Sequence, residues 1–342
     1  MTSPALRTPA APHASATVDI AGSGLAELTC AWLLLARGHR VRLRSPGPAA
    51  GPRPLLLGGP TMDLLRSLWG GELPTHCHQL THRQVYWGPD ADATGRRMPQ
   101  PATVVDGARL AEHLLGRLAA RHPDVLSETP GPPRWTVTAA GSSGHWTAGR
   151  RHLLAGEAPL APGTDESTAR LVCTERAWLH LTPLGDGRAL LQAMVPGPAT
   201  RPTELLESLL AGSALAPALR HAPRTAVALP AAPRLHRTPA VPGRILVGAG
   251  AIRYDPLSGT GSAQALRTAI LAAASLHAMV TGAPQGPLCT HYTSRLRRAF
   301  RAHLATCARL YPQAFASPSW QHEIDAGRRQ ARLLRGDGDP AD

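Results

Sequence analysis

Val18-Asp19-Ile20-Ala21 runs as a short apolar strand into Gly22-Ser23-Gly24, and Leu25–Arg37 then repeats its apolar residues at helical spacing as far as Gly38. Val41-Arg42-Leu43 follows as a second short strand. A strand, a glycine turn, a helix stopped by glycine and another strand together predict a βαβ unit, since parallel strands need a crossover that a helix supplies. The chain is thereby directed to an α/β layout with helices packed on a mostly parallel sheet. Glycine lets the backbone approach a diphosphate, and the helix start offers unpaired N–H groups, so Gly22 and Gly24 are expected to bind a dinucleotide. Two residues depart from that pattern. Glu27 stands at the third glycine position, adding bulk and negative charge beside the expected diphosphate. Arg44-Ser45 stands where an acidic residue normally takes the ribose hydroxyls, which suits a phosphate-bearing ribose or no nucleotide at all.

Far downstream, Arg244-Ile245-Leu246-Val247 reads as a buried strand. It leads into Gly248-Ala249-Gly250-Ala251 and then Tyr254-Asp255-Pro256-Leu257-Ser258-Gly259-Thr260-Gly261, followed by an Ala- and Leu-rich helix over Ser262–Thr281. This segment resembles the flavin-ring loop of FAD-dependent monooxygenases of the p-hydroxybenzoate hydroxylase type. That family carries Gly-Asp-Ala after such a strand and Asp-Pro-x-x-Gly-x-Gly before a helix. The resemblance implies FAD as cofactor, with the loop backbone facing the isoalloxazine ring and the helix dipole favouring negative charge near its N1–C2 side. Gly248, Asp255, Pro256, Ser258, Gly259, Thr260 and Gly261 then join Gly22, Gly24 and Ser45 as expected cofactor contacts. Ala249 replaces the family's ribityl-holding Asp.

Other segments extend the likeness. Arg109–Leu118, after Val104-Val105-Asp106, is similar to the helix that precedes the family's middle domain. Trp178–Arg188 is similar to a middle-domain strand and turn of the tryptophan-halogenase-like branch. The C-terminal stretch with Tyr292, Arg297, Tyr311, Phe315, Pro318 and Trp320 resembles flavoprotein maturases that modify a tryptophan in quinone-cofactor amino-acid oxidases. The likeness covers most of residues 17–325 and is patchy over 125–170, where Arg151–Glu157 replaces an Asp-x-x-Gly-Arg turn.

What the resemblance implies is a monooxygenase-like oxidoreductase acting on an aromatic small molecule or a tryptophan side chain. Trp178, His180 and Tyr254 are the substrate-cavity candidates. Each has a plainer reading: the two aromatic residues as core, and His180 as a strand residue facing solvent. No catalytic residue is identified. A flavin-independent homologue, serving as a partner subunit or using the cleft for another ligand, stays open beside the enzyme. Halogenation is excluded by the resemblance itself, because halogenases of that branch need a catalytic lysine and this chain has none. His76-Cys77-His78, with His82 nearby, groups metal-ligand types, but adjacent residues rarely chelate one ion and no second pair has zinc spacing, so no metal is expected. The segment is instead read as a loop near the cofactor edge.

All 36 basic residues are therefore arginine, and the net charge is +13. They are scattered, which argues against nucleic-acid binding, although Arg295, Arg297, Arg298 and Arg301 share one expected helix and leave an acidic peptide or partner protein possible. No apolar run reads as membrane-spanning. The five widely spaced cysteines suit a reducing, cytoplasmic setting. The expected organisation is a tail at 1–16, a Rossmann-like FAD-binding domain at 17–70, 100–125 and 240–285, and a shortened mixed-sheet substrate domain at 71–99 and 126–239. C-terminal helices are expected at 286–330 and a second tail at 331–342. An amphipathic helix within 200–220, carrying Leu205, Leu206, Leu209, Leu210 and Leu215, is expected to cover the middle sheet.

Overall fold

The structure is a computed structural model that describes residues 17–44, 54–71, 77–87, 95–126, 134–140 and 143–335. The strands up to the middle of the chain are β1 (Thr17–Ala21), β2 (Arg40–Arg44), β3 (Pro54–Gly58), β4 (Cys77–Tyr86), β5 (Arg96–Asp106), β6 (Trp135–Thr138), β7 (His145–Thr147) and β8 (His152–Pro159). They continue as β9 (Thr168–Cys173), β10 (Trp178–Gly185), β11 (Arg188–Val195), β12 (Val227–Pro230), β13 (Arg234–His236), β14 (Ala240–Val241), β15 (Arg244–Leu246) and β16 (Ile252–Arg253). The helices are α1 (Leu25–Leu35), α2 (Gly59–Trp69), α3 (Gly107–Arg121), α4 (Pro202–Ala211), the single turn α5 (Gly248–Ala251), α6 (Gly261–Val280), α7 (Gln285–Leu310) and α8 (Pro318–Leu333).

One sheet has five strands in the order β14-β15-β6-β1-β2, parallel except for β14. Val18, Ile20, Val137, Ile245 and Leu246 are buried in it, the continuous apolar reading of parallel strands covered on both faces. Helices α1 and α6 pack against each other beside it. Helix α6 is long and apolar enough to cross a membrane, contrary to the sequence expectation, because its Ala- and Leu-rich face is a core face: Leu266, Ala269, Ala272, Ala273 and Leu276 are all fully buried.

The second sheet has eight strands in the order β12-β8-β11-β10-β9-β4-β5-β3. Alternation along its strands divides two environments. Leu179 and Leu181 of β10 and Leu191 and Ala193 of β11 share a buried cluster with Leu206, Leu209 and Leu210 of α4, so the amphipathic helix covers this face as its periodicity requires. The alternate residues, Trp178, His180 and Thr182 opposite Met194, Gln192 and Leu190, turn to the other face. A small third sheet joins β16, β13 and β7.

The chain crosses between the two large sheets more often than its composition reveals. Trp135–Thr138, within the stretch assigned to the substrate domain, lies in parallel between β1 and β15 of the five-stranded sheet. Pro54–Gly58, within the stretch assigned to the cofactor domain, instead pairs with β5 at the edge of the eight-stranded sheet. Both strands are too short for an apolar pattern to tell one sheet from the other. At the C-terminus, Tyr311, Phe315 and Trp320 stack on one another and pack with Trp178 and Leu171 against the eight-stranded sheet. On α7, Arg295, Arg297 and Arg298 are exposed, and Arg297 lies over the Trp146 ring at 5.1 Å.

Gly250 in α5 is needed for want of room. A Cβ there would collide with the carbonyl oxygen of Ala139 and lie 2.6 Å from its carbonyl carbon. Gly250→Ala is expected to destabilise the chain by about 1–3 kcal/mol, as overpacking does. Urea unfolding measures it, and an unchanged midpoint would show that this approach is not as close as described.

Candidate functional site

The glycine turn is shaped as a dinucleotide turn and filled by the chain itself. Gly22 adopts φ +133°, a conformation that L side chains rarely take, and Gly24 is the N-cap of α1. Glu27 is the third residue of that helix and is buried. Its carboxylate folds back over the turn: a Cβ added at Gly22 would lie 2.5 Å from Oε1, and one at Gly24 would lie 2.8 Å from Oε2. Oε1 accepts the Ala139 N–H at 3.0 Å. Burial raises the Glu27 pKa, while the N–H groups of Glu27 and Ala139 work against that rise. The anion that the helix N-terminus attracts is therefore an internal one. At the end of β2, Arg44 donates from Nε to Asp19 on β1 at 2.9 Å, beside Arg42, and Ser45 lies outside the described residues.

The second segment separates into an inward and an outward half. Gly248 takes φ +54° and donates its N–H to Thr268 Oγ1 at 2.9 Å, while Ala249 next to it is exposed. Asp255 faces inward and is 1% exposed. Its Oδ1 caps the following turn through the Leu257 N–H, and its carboxylate accepts from Tyr311 Oη and from Arg151 Nη1 at 2.8 Å. Arg151 in turn lies 3.3 Å from Glu323 Oε2 through Nε, an ion pair without hydrogen-bond geometry. Burial alone would lower the Arg151 pKa, but Asp255, Tyr311 and Glu323 together hold it above its ordinary value. His303 Nε2 accepts the Asp255 N–H at 2.8 Å, so this nitrogen carries no proton, in keeping with a pKa pushed down to about 4 by burial. Asp255 is thus a junction between the segment leading into β8, the loop and the C-terminal helices.

The outward half is Pro256–Gly261. Pro256–Ser258 form one 3-10 turn, Gly259 follows at φ +60°, and Thr260 caps α6. Ser258 Oγ donates to the Asp255 carbonyl at 2.8 Å and pairs with Thr260 Oγ1, so both hydroxyls are used in shaping the loop. The loop and the first turn of α6 form one wall of a cavity of about 270 Å³. The opposite wall is the free face of the eight-stranded sheet, with Trp178, His180, Thr182, Leu190 and Gln192 from β10 and β11, Leu171 from β9 and Arg83 from β4.

Trp178 and His180 both line this cavity, but His180 does not face solvent as one reading of the sequence had it. It is 8% exposed, and burial together with the neighbouring Arg83 charge pushes its pKa down to about 3, so the ring is neutral. Trp178 is anchored by its Nε1–H donating to Tyr311 Oη at 3.2 Å, which is itself bonded to Asp255. Tyr254 does not reach the cavity: it stacks on His303 at 4.2 Å and packs on the main core, the plainer reading of that residue. Cys77 and His78 begin a strand rather than a loop, and His78 Nε2 bonds the Glu166 carbonyl at 2.7 Å. His76 lies outside the described residues, and His82 pairs with Thr81. Among the described residues no group of three or more His, Cys, Asp or Glu could hold a metal. Arg83, Gln192, Glu323 and His303 were not named by sequence reasoning, and Arg151 and Thr182 only as members of segments that carried the resemblance; strand alternation from Trp178 and its cross-strand partners was the available signal for the roles of Thr182 and Gln192.

The two ends of the site differ in what they can hold. A Cβ at Gly259 or Gly261 would meet nothing within 4 Å, which leaves the loop open to a planar ring. The diphosphate end is closed by Glu27. The loop end therefore has room for a planar ring, and the Glu27 carboxylate stands where a diphosphate would approach the turn.

No protein-family model and no curated protein matches the chain. Solved structures do. The peptidyl tryptophan dihydroxylase QhpG, essential for tryptophylquinone cofactor biogenesis, superposes with a TM-score of 0.75 at 20% identity over 91% of this chain and 79% of its own. The flavin-dependent halogenase CmlS gives 0.71 at 16% identity over 93% and 70%. Pseudomonas aeruginosa PqsL in complex with 2-aminobenzoylacetate gives 0.69 at 16% identity over 91% and 99%. The chain has the fold of the FAD-dependent monooxygenases and halogenases.

Proposed function

We propose that this chain is a monooxygenase-type oxidoreductase that oxidises an aromatic substrate held in the cavity between the Pro256–Gly261 loop and the eight-stranded sheet. The observation that carries the reading is the cavity itself: an open glycine loop at a helix N-terminus on one side and Trp178 fixed through Tyr311 on the other. FAD is the cofactor that the loop and the shared fold favour, and a flavin supplies redox chemistry that no side chain here possesses. The Glu27 carboxylate lies over the turn that would meet the diphosphate of such a cofactor. The protein's own contribution is orientation and exclusion of water by an apolar wall that includes Leu171, Leu190 and Leu257. Halogenation is not part of the proposal, since the chain has no lysine.

Glu27 favours a second reading, a flavin-independent relative that uses the same cavity for binding alone. The visible spectrum of the purified chain, followed by FAD titration, separates the two. Flavin bands on purification, or saturable binding in the micromolar range, support the oxidoreductase. A colourless protein that stays unbound at millimolar FAD, both as wild type and as Glu27→Ala, rules that reading out.

A further inference from the structure

Helices α1 and α6 lie side by side, one starting at the glycine turn and the other at the Pro256–Gly261 loop, and two histidines join their far ends. His277 sits in the last turn of α6. His39 follows α1, its N–H donating to the Leu34 carbonyl at 3.1 Å, and leads directly into β2. His39 Nε2 lies 3.0 Å from His277 Nδ1, with the ring centroids 5.2 Å apart. His39 is 4% exposed, and its other ring nitrogen, Nδ1, is buried with no hydrogen-bond partner among the described residues. A ring held in this way disfavours a second proton. Burial, then His277, then Arg37 push its pKa below the ordinary value.

The other charges around His39 act in the same direction. Arg40 and Arg42 of β2, with Arg121 and His122 at the end of α3, line a cavity of about 560 Å³ together with His39. Arg42 is paired with Asp19 of β1. Asp124, exposed in the turn after α3, is the one acid among the described residues that line this cavity. A bond between two imidazoles needs one bare nitrogen. It survives one added proton, since an imidazolium donates to a neutral ring. A second added proton leaves two N–H groups and two positive charges facing each other.

We propose that the His39–His277 pair is a proton-operated latch, which ties the carboxyl-terminal ends of α1 and α6 while one ring is neutral and releases them, opening the cavity beside β2, when both are charged. Release is confined to these ends, because Leu28, Leu266 and Ala269 are fully buried nearer the amino-terminal ends of the two helices. The sign follows from the lowered pKa of His39. The opened state takes up the proton first, so the closed latch is favoured above the ordinary histidine value of about 6.5 and is lost as the pH falls below it.

The test is hydrogen exchange of the full chain by NMR, corrected for the intrinsic effect of pH on exchange. It is read at the N–H groups of His39 and Thr281, which bond the last carbonyls of the two helices. Between about pH 7.5 and about pH 5.5, their protection is expected to fall by about tenfold or more relative to that of Ala269 within α6. His39→Gln keeps an amide that bonds His277 and does not titrate, so its protection should hold across the same range. Titration of the two rings in wild type is a second measurement that does not require the variant to fold. The rings should titrate in two separate steps, with the loss of protection following the second. Wild-type protection that is constant with pH, that falls equally in His39→Gln or that falls throughout α6 would each overturn the latch, as would two rings titrating together near the ordinary value.

Discussion

Arg151→Met is expected to lower the stability of the chain by about 3–5 kcal/mol, the effect of removing one member of a buried ionic cluster and stranding the others. Arg151 and its partners Asp255 and Glu323 are all at most 3% exposed, so water cannot take over the lost contacts. Arg151 also donates from Nη2 to the Ala148 carbonyl, and Glu323 accepts the Arg150 N–H, so the cluster ties the start of β8 to α8. Because Asp255 caps the loop turn, its release would loosen the wall of the cavity as well. Urea unfolding of wild type and variant at several pH values is the measurement. The gap between them should narrow as the pH falls, since protonating the two stranded carboxyls removes the charges that Arg151 had balanced. Adding Glu323→Gln to Arg151→Met should recover part of the loss by the same reasoning. A variant within about 0.5 kcal/mol of wild type at neutral pH would mean that the cluster contributes no more than a surface pair.

The sequence displayed the frame of the site and concealed its charges. The turn at Gly22–Gly24, the loop at Asp255–Gly261 and the helix after it were legible because glycine placement and helical spacing are local signals. That Glu27 adds bulk and charge was also legible, but its hydrogen bond to Ala139 was not, because that partner lies 112 residues away. Asp255 illustrates the limit of a motif. Its position in the loop matches the family pattern, yet its carboxylate points away from the cleft to Arg151 and Tyr311, contacts across more than 50 residues of chain. Arg83 looked like any of the 36 arginines, since its place in the cavity wall is a property of tertiary structure alone. Tyr254 was placed beside the cofactor loop by adjacency, but adjacent residues in an extended segment face opposite ways, and Tyr254 turns to His303.

Glu27→Ala should raise the affinity for FAD by at least tenfold. The FAD diphosphate carries two negative charges, and the Glu27 carboxylate occupies the concave side of the turn where they would lie. Like charges about 4 Å apart repel by roughly 4 kcal/mol at the effective dielectric of a protein surface, and each ~1.4 kcal/mol corresponds to tenfold in binding. Screening and side-chain mobility reduce the first figure, which is why a tenfold gain is the lower bound. Alanine fits because the Glu27 Cβ is already accommodated. Losing the bond to Ala139 should make the variant less stable by about 1 kcal/mol. Glu27→Gln keeps the bulk and removes the charge, so an intermediate affinity assigns the effect to both, and equality with alanine assigns it to charge. The pH dependence follows from the raised pKa of Glu27. As the pH falls through that pKa the carboxyl is neutralised, so wild-type affinity should increase while that of the alanine variant stays flat. The same raised pKa means that the contribution of Glu27 to folding stability is full at low pH and is lost as the pH rises through it. If FAD affinity is the same for wild type and Glu27→Ala at neutral pH, the carboxylate does not guard the diphosphate site.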